Sequence, residues 1–208
     1  MVYKHFTRER WQSLWSSLGA NAPAGSFDDI LGRYTEPHRA YHGVKHIEHC
    51  LDQFDGLRKL AKRPELVELA LWLHDAVYDL RASDNEAKSA DLSRRLLEEA
   101  GVPSLADVIT DMIMATTHQD VPPVGDAALV SDIDLSILGA DPDEYDLYTA
   151  EVRQEYSWVP EEAFRSGRLK VLHSFCKRTR IFDHPPCFDR WERRARANIN
   201  HEMVKLSM

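Results

Sequence analysis

The chain has no apolar run approaching the ~18 consecutive residues of a membrane span, and its N-terminus lacks the charged-then-apolar pattern of a signal peptide. No membrane association is therefore expected, and Met1 to Phe6 reads as a native start. Cysteine is scarce. Cys50, Cys176 and Cys187 are widely spaced, odd in number and form no CxxC, which argues against a disulfide framework or a zinc ribbon and points to a reducing, cytoplasmic home. Positive charge is also short: a formal net charge of −8 argues against sequence-independent nucleic-acid binding, which needs a basic face to release counterions. Internal repeats and low-complexity linkers are missing, as are the alternating β-branched runs bounded by turn residues that strands require.

What is present reads as helix. With 208 residues and 43% hydrophobic content, the chain is long enough to close one globular core. Thr7 can cap a helix with Trp11, Leu14, Trp15 and Leu18 inward, and Ser26 a second one with Phe27, Ile30, Leu31 and Tyr34, stopped before Pro37. Tyr41 to His49 opens a long amphipathic helix that places His42, His46 and His49 on one stripe. Pro64 starts the next helix, Ser83 to Glu86 reads as a capping box for a helix ending at Gly101, and another spans roughly Leu105 to His118. Val121 to Asp126 breaks it, Ala127 to Leu138 is apolar apart from Asp132 and Asp134, and Asp141-Pro142 starts a helix reaching Trp158. Pro160 opens a short helix, Arg168 another through Cys176, and Asp189 a terminal arginine-rich one. The expectation is an all-α single domain spanning residues 1–208.

Within this pattern one stretch stands out. Leu69 to Leu73 continues a buried apolar helix that ends abruptly in His74, Asp75 and, further on, Asp79. An unpaired buried polar group costs on the order of 2–7 kcal/mol, and a charge more, so these groups need a partner. On a helix Asp75 and Asp79 would share a face. A His-Asp pair alone is also compatible with an ordinary helix end, but ten histidines are present and His38, His42, His46, His49 and His74 fall in one short region. Adding an imidazole from the 42–46 segment and Asp132 or Asp134 gives two nitrogens and two carboxylates from three helices. That mixed set suits Mn, Fe, Co, Ni or Zn better than Ca or Mg, and four ligands leave room for water and substrate.

The order His46, His74-Asp75, Asp134 resembles the signature of the HD superfamily of metal-dependent phosphohydrolases, all-helical domains named for their His-Asp pair. More narrowly, Glu36 to Ile47, Leu73 to Asp79, Asp84 to Glu86 and Asp132 to Ala140 are similar to an uncharacterised bacterial subfamily of predicted HD phosphohydrolases, with likeness extending through Phe164 to Arg168 and the last helix. The resemblance implies an HD-type helical bundle over about residues 37–139, with a C-terminal helical extension over about 140–208. It implies His46, His74, Asp75 and Asp134 as metal ligands. His46 is preferred to His42 because its neighbour Ile47 faces inward, and Asp134 to Asp132 because the superfamily's last aspartate precedes an aliphatic residue, here Leu135. His74 to Asp79 also resembles the His-Asp-x-x-Glu-Asp element of (p)ppGpp hydrolase domains, although Tyr78 stands where the glutamate would be.

The function implied is hydrolysis of a phosphomonoester or nucleotide phosphate by metal-activated water, with Asp79 taking up the proton. His42, Lys45, Glu86, His118 and Asp132 are candidates for supporting the ligands or binding substrate, and Arg39, Lys88, Arg153 and Arg168 for meeting phosphate oxygens. The implied partner is a small phosphorylated molecule, a nucleotide above all, with a homo-oligomer also open. Two other readings remain: a di-iron HD-type oxygenase, which would need further histidines such as His49 or His118 at the site, and a non-catalytic nucleotide-binding or interaction module with a structural metal.

Overall fold

Every residue from Leu66 to Leu73 is buried, and the helix that carries this run, α4 (Pro64–Leu73), is the central element of the N-terminal half in the computed structural model of the chain. The structure describes residues 3–118 and 123–208. Around α4 pack α1 (Arg8–Ser17), α3 (Val44–Leu57), α5 (Asn85–Glu99), α6 (Ala106–Met114) and α7 (Asp126–Asp134), while α2 (Ser26–Tyr34) joins it through aromatic side chains. The C-terminal half holds α8 (Pro142–Glu155), α9 (Glu161–Lys177), the short turn α10 (Pro185–Cys187) and α11 (Arg193–Ser207). The described residues contain no strand, so the chain is all-α, as expected. It divides into two compact units, Met1–Asp134 and Leu135–Met208. None of the helices, among the described residues, is long and apolar enough to cross a membrane.

Packing in the first unit follows from its aromatic content. Trp72 of α4 meets Phe6 at 4.5 Å and Trp11 at 5.2 Å between ring centroids, and Phe27 at 6.4 Å. Such edge and tilted pairs add roughly 0.5–1.5 kcal/mol each beyond area burial. Tyr34 Oη donates to the Trp72 carbonyl at 2.9 Å, tying the end of α2 to α4. Glu68 is the one charge in the buried run of α4. Arg10 Nε donates to it at 2.7 Å and Arg58 forms a second ion pair with it, which makes its burial tolerable. At the start of the described chain, Glu48 of α3 accepts the backbone N–H groups of Lys4, His5 and Phe6 at 2.6–2.9 Å.

Several helix ends depart from the sequence reading for local reasons. Thr7 caps α1, its Oγ1 accepting from Arg10 N–H at 3.2 Å, as expected. Ser26 does not cap α2. Gly25 takes that position with φ +74°, and Ser26 Oγ instead accepts from buried Trp11 Nε1 at 3.0 Å. The Ser83 capping box does not form either, because α5 starts one residue later with Asp84 at its cap. Helix α3 begins at Val44, which leaves His42 in the preceding turn rather than on a stripe with His46 and His49. The segment predicted to run helical to His118 ends α6 at Met114 and tightens into a 3-10 turn over Ala115–Thr117. Of the predicted breaker, Val121 and Pro122 lie outside the described residues. The two helices expected from Pro160 and Arg168 are one, α9, with Gly167 carried in its interior.

In the second unit the chain enters through a 3-10 segment, Leu135–Gly139, against which α11 and α8 pack. A Cβ on Gly139 would stand 2.5 Å from Trp191 Cβ, so only glycine permits this approach. Asn198 Nδ2 donates to the carbonyls of Leu138 and Ala140 at 2.9 and 3.0 Å. Glu202 of α11, buried, accepts Arg168 Nε at 2.8 Å and the Tyr145 hydroxyl, linking α8, α9 and α11 through one satisfied carboxylate. Before α11 the helix widens into a π turn over Phe188–Glu192, where Glu192 turns back to accept from Ile181 and Phe182 N–H.

Candidate metal centre

The last turn of α4 delivers the first donor. His74 is the C-cap residue of that helix, and its Nδ1 lies 3.0 Å from the Leu71 carbonyl. A carbonyl only accepts, so Nδ1 carries a proton, and Nε2 is the nitrogen that meets the cluster, protonated in the metal-free fold and offering a lone pair once a cation replaces that proton. Asp75 follows in a non-helical turn held open by Arg39. The buried guanidinium donates to the carbonyls of Asp75 at 2.6 Å, Ala76 at 3.2 Å and His42 at 3.0 Å, and to Glu36 Oε2 at 2.9 Å. It thereby pins the His-Asp turn to the segment that leads into α3.

From α3 comes His46, 2% exposed, and from the last residue of α7 comes Asp134. His46 Nε2 stands 3.0 Å from His74 Nε2, 3.2 Å from Asp134 Oδ1 and 3.6 Å from Asp75 Oδ2. His74 Nε2 is 3.4 Å from both Asp75 Oδ2 and Asp134 Oδ1. Ligands bound at about 2.1 Å are separated by about 3.0 Å at right angles and about 3.4 Å at the tetrahedral angle. The five distances thus match edges of a coordination polyhedron, and two ring nitrogens facing each other at 3.0 Å with lone pairs inward repel unless a proton or a cation lies between them.

Electrostatics point the same way. Burial, the largest influence on His74, favours its neutral ring, yet Asp75 and Asp134 outweigh it and hold its pKa up at about 9. Burial opposes ionisation of Asp134 as well, but His74, His118 and His46 keep it well below the usual carboxylate range. The pocket is one that attracts positive charge. Cys50, one turn after His46 on α3 and fully buried, places Sγ 3.8 Å from His46 Nε2. Burial first, then Asp134 and Asp75, push this thiol well above its ordinary value. His46, Cys50, His74 and Asp134 offer donor atoms all within 4.8 Å of one another, a buried cluster able to hold a divalent metal ion.

The remaining candidates fall at different places. His118 adopts a left-handed conformation, φ +52°, and its Nε2 lies 2.9 Å from Asp134 Oδ2, so it engages the carboxylate oxygen that turns away from the imidazoles. Ser131 Oγ lies 3.3 Å from its other nitrogen. Glu86 is half-buried at the start of α5. Burial raises its pKa, and Asp75 and Asp134 raise it further, which puts it within the field of the cluster. His42 stacks on Tyr78 at 4.3 Å, with its ring 5.9 Å from that of His46. Lys45 is exposed, and Asp132 is buried at 1% exposure.

Asp79 does not share a helical face with Asp75, because α4 ends at Leu73. It is exposed, its Oδ1 accepts Arg81 N–H at 2.9 Å, and its backbone is bracketed by Asn85, which accepts its N–H and donates to its carbonyl. Among the cations considered for phosphate, Arg39 is committed to the turn, Arg168 to Glu202, Arg153 to Glu161 and the Tyr156 and Val159 carbonyls, and Lys88 to Asp84. Sequence reasoning missed Cys50, although its i+4 spacing from His46 was a usable signal. It also counted Arg39 among several candidates for phosphate oxygens, where the fold uses it as a clamp. Comparison with family models, with curated proteins and with solved structures finds no match to this chain.

Proposed function

We propose that this chain is a metal-dependent phosphohydrolase of the HD type, acting on a phosphomonoester or nucleotide phosphate. The observation that carries the reading is the approach of His46 and His74 to each other and to Asp75 and Asp134 at separations of 3.0–3.6 Å. In it these four side chains hold one ion of the Mn, Fe, Co, Ni or Zn kind, in keeping with their mixed nitrogen and oxygen donors. Such an ion acidifies water and polarises a phosphoryl oxygen. The imidazoles are almost wholly buried, whereas the side chains of Asp75 and Asp134 retain 11% and 15% exposure, so the carboxylate side is where solvent and substrate reach the centre.

The chain's own groups do the rest. Leu71 fixes the His74 tautomer, Arg39 fixes the turn, and His118 orients Asp134. Proton uptake is assigned to Asp79 on the likeness of His74 to Asp79 to the (p)ppGpp hydrolase element alone, since the fold takes it off the face of Asp75, and a phosphate oxygen to Lys45, exposed beside His46 in sequence. The free thiols of Cys50, Cys176 and Cys187 suit a reducing compartment.

The test is metal analysis of the purified chain followed by phosphate release from a panel of nucleotides and phosphomonoesters. Turnover lost in His74→Ala and Asp75→Ala, and lowered about 100-fold in Asp79→Asn, is the expected result. Silence across the panel with metal bound would overturn the hydrolase reading, and full activity of Asp79→Asn would move the proton acceptor elsewhere.

A further inference from the structure

We propose that the arginine-rich end of the second unit, around Lys177, Arg180, Arg190 and Arg193, is a docking face for the phosphate backbone of a nucleic acid. The inference is independent of the metal centre and of hydrolysis.

It starts from where charge lies along the chain. Residues 163–208 hold eleven Lys and Arg against four Asp and Glu, a net of +7, whereas residues 1–162 hold fifteen against thirty, a net of −15. The whole-chain value of −8 hides that segregation, so it argues against binding over the whole surface and leaves a local face open. Two of the four carboxylates are spent internally. Glu202 is buried against Arg168, and Glu192 against Arg196 and the Ile181 and Phe182 N–H groups. Among the other cations, Arg194 pairs with Asp141 and Lys205 with Asp146. Lys177, Arg180, Arg190 and Arg193 are exposed and form no ion pair among the described residues, with Asp183 and Asp189 the exposed acids of the same stretch.

The fold gathers these four cations. Arg196 Nη2 of α11 donates to the Arg178 and Thr179 carbonyls at 2.9 and 3.2 Å, which holds the segment after α9 against the first turn of α11. Within that segment the Phe182 ring packs 5.4 Å from that of Trp191 in the π turn. Arg180 lies over the Phe188 ring at 4.9 Å and Arg190 over the Trp191 ring at 5.1 Å. A guanidinium held over an aromatic face is anchored without spending its N–H groups, and neither arginine spends them on a side-chain hydrogen bond among the described residues.

The chemistry of the face selects its occupant. Eight of the eleven cations are arginine, whose fork meets two oxygens of one phosphate. A bilayer would need apolar side chains beside the charges, and none of the exposed large hydrophobic residues lies between 177 and 194. A polynucleotide supplies a phosphate at every step, so several of the four cations can be met at once without reading any base.

The experiment is fluorescence anisotropy of a labelled oligothymidylate of about 20 nucleotides, titrated with the full-length chain from about 50 to about 200 mM salt, with and without chelator. Four phosphate contacts predict that log K falls with log salt at a slope of about −3. Arg180→Gln with Arg190→Gln should weaken binding at least about tenfold at low salt and cut the slope by about half. Lys59→Gln with Lys62→Gln, which removes the same charge from exposed positions of the first unit, should change neither. Chelator should have no effect, and loss of binding on its addition would overturn the proposal by placing the strand at the metal centre. No binding by the wild type at low salt would overturn it without touching the hydrolase reading. Equal weakening by the two double variants would also overturn it. So would capture of phosphatidylserine vesicles without the oligonucleotide, or displacement of the strand by polyglutamate at equal charge, by assigning the face to a membrane or an acidic protein. Circular dichroism checks that the exposed Arg→Gln changes keep the fold, and the wild-type salt slope decides without them.

Discussion

His118 Nε2 lies 2.9 Å from one oxygen of Asp134 while the other oxygen of the same carboxylate lies 3.2 Å from His46 Nε2. Asp134 is therefore gripped from behind by one imidazole and offered forward to two others. Residues that orient a ligand in this way are commonly worth 10–100-fold in metal affinity. His118→Ala should weaken divalent-metal binding by about that factor in a chelator competition, with helix content by circular dichroism unchanged. Unchanged affinity would reduce the contact to packing.

Removing the metal should make stability depend on alkaline pH. In the metal-free fold His74 keeps its proton up to about 9, above its ordinary 6.5, because Asp75 and Asp134 overcome the effect of burial. A raised folded-state pKa contributes stability that is fully present below the unfolded value and is lost as pH rises through the folded one. The lowered pKa of Asp134 acts at the other end, adding stability above the ordinary carboxylate range that is lost as pH falls. The chelator-treated chain should thus lose Tm between about pH 7 and about pH 10, and a bound divalent ion should flatten that slope by replacing the proton. Parallel pH profiles with and without metal would contradict this.

Arg39 should behave as a structural residue. Its loss strips donors from the carbonyls of Asp75, Ala76 and His42, and an unsatisfied buried carbonyl costs about 1–3 kcal/mol. Arg39→Ala should lower unfolding free energy by at least about 2 kcal/mol in urea and weaken metal binding with it. Arg39→Lys should recover little, because one ammonium does not reproduce the guanidinium fork.

Two glycines should respond oppositely to alanine. At Gly139 a new Cβ meets Trp191 Cβ at 2.5 Å and its Cα at 2.9 Å, so Gly139→Ala should destabilise by about 1–3 kcal/mol. At Gly32, inside α2 with nothing within 4 Å of the added atom, Gly32→Ala should stabilise by about 0.5–1 kcal/mol. Chemical denaturation of the two variants in parallel checks both signs.

Much of this was readable from residues alone. The apolar run before His74 announces a buried helix, and the 3.6-residue spacing of Trp11, Leu14 and Trp15, or of Ile47, Leu51 and Phe54, announces amphipathic ones, since periodicity is a local property of the chain. That His46, His74-Asp75 and Asp134 need polar company was legible too, because burying such groups without a partner is so costly. Helix ends were less legible. Whether Ser26 caps α2 or bonds Trp11, and whether α9 breaks near Gly167, depends on neighbours distant in sequence.

Sequence by itself thus determined an all-helical chain built on one apolar segment that ends in groups able to bind a metal ion. Only the tertiary structure decided that Asp134 reaches the imidazoles, that Arg39 spends its donors on the turn, that Asp79 stands exposed beyond the end of α4, and that Cys50 faces the cluster. The reason is physical. Periodicity and propensity act within a few residues, whereas the meeting of donors 60 or more residues apart, as between Asp134 and His74, is set by how whole helices pack.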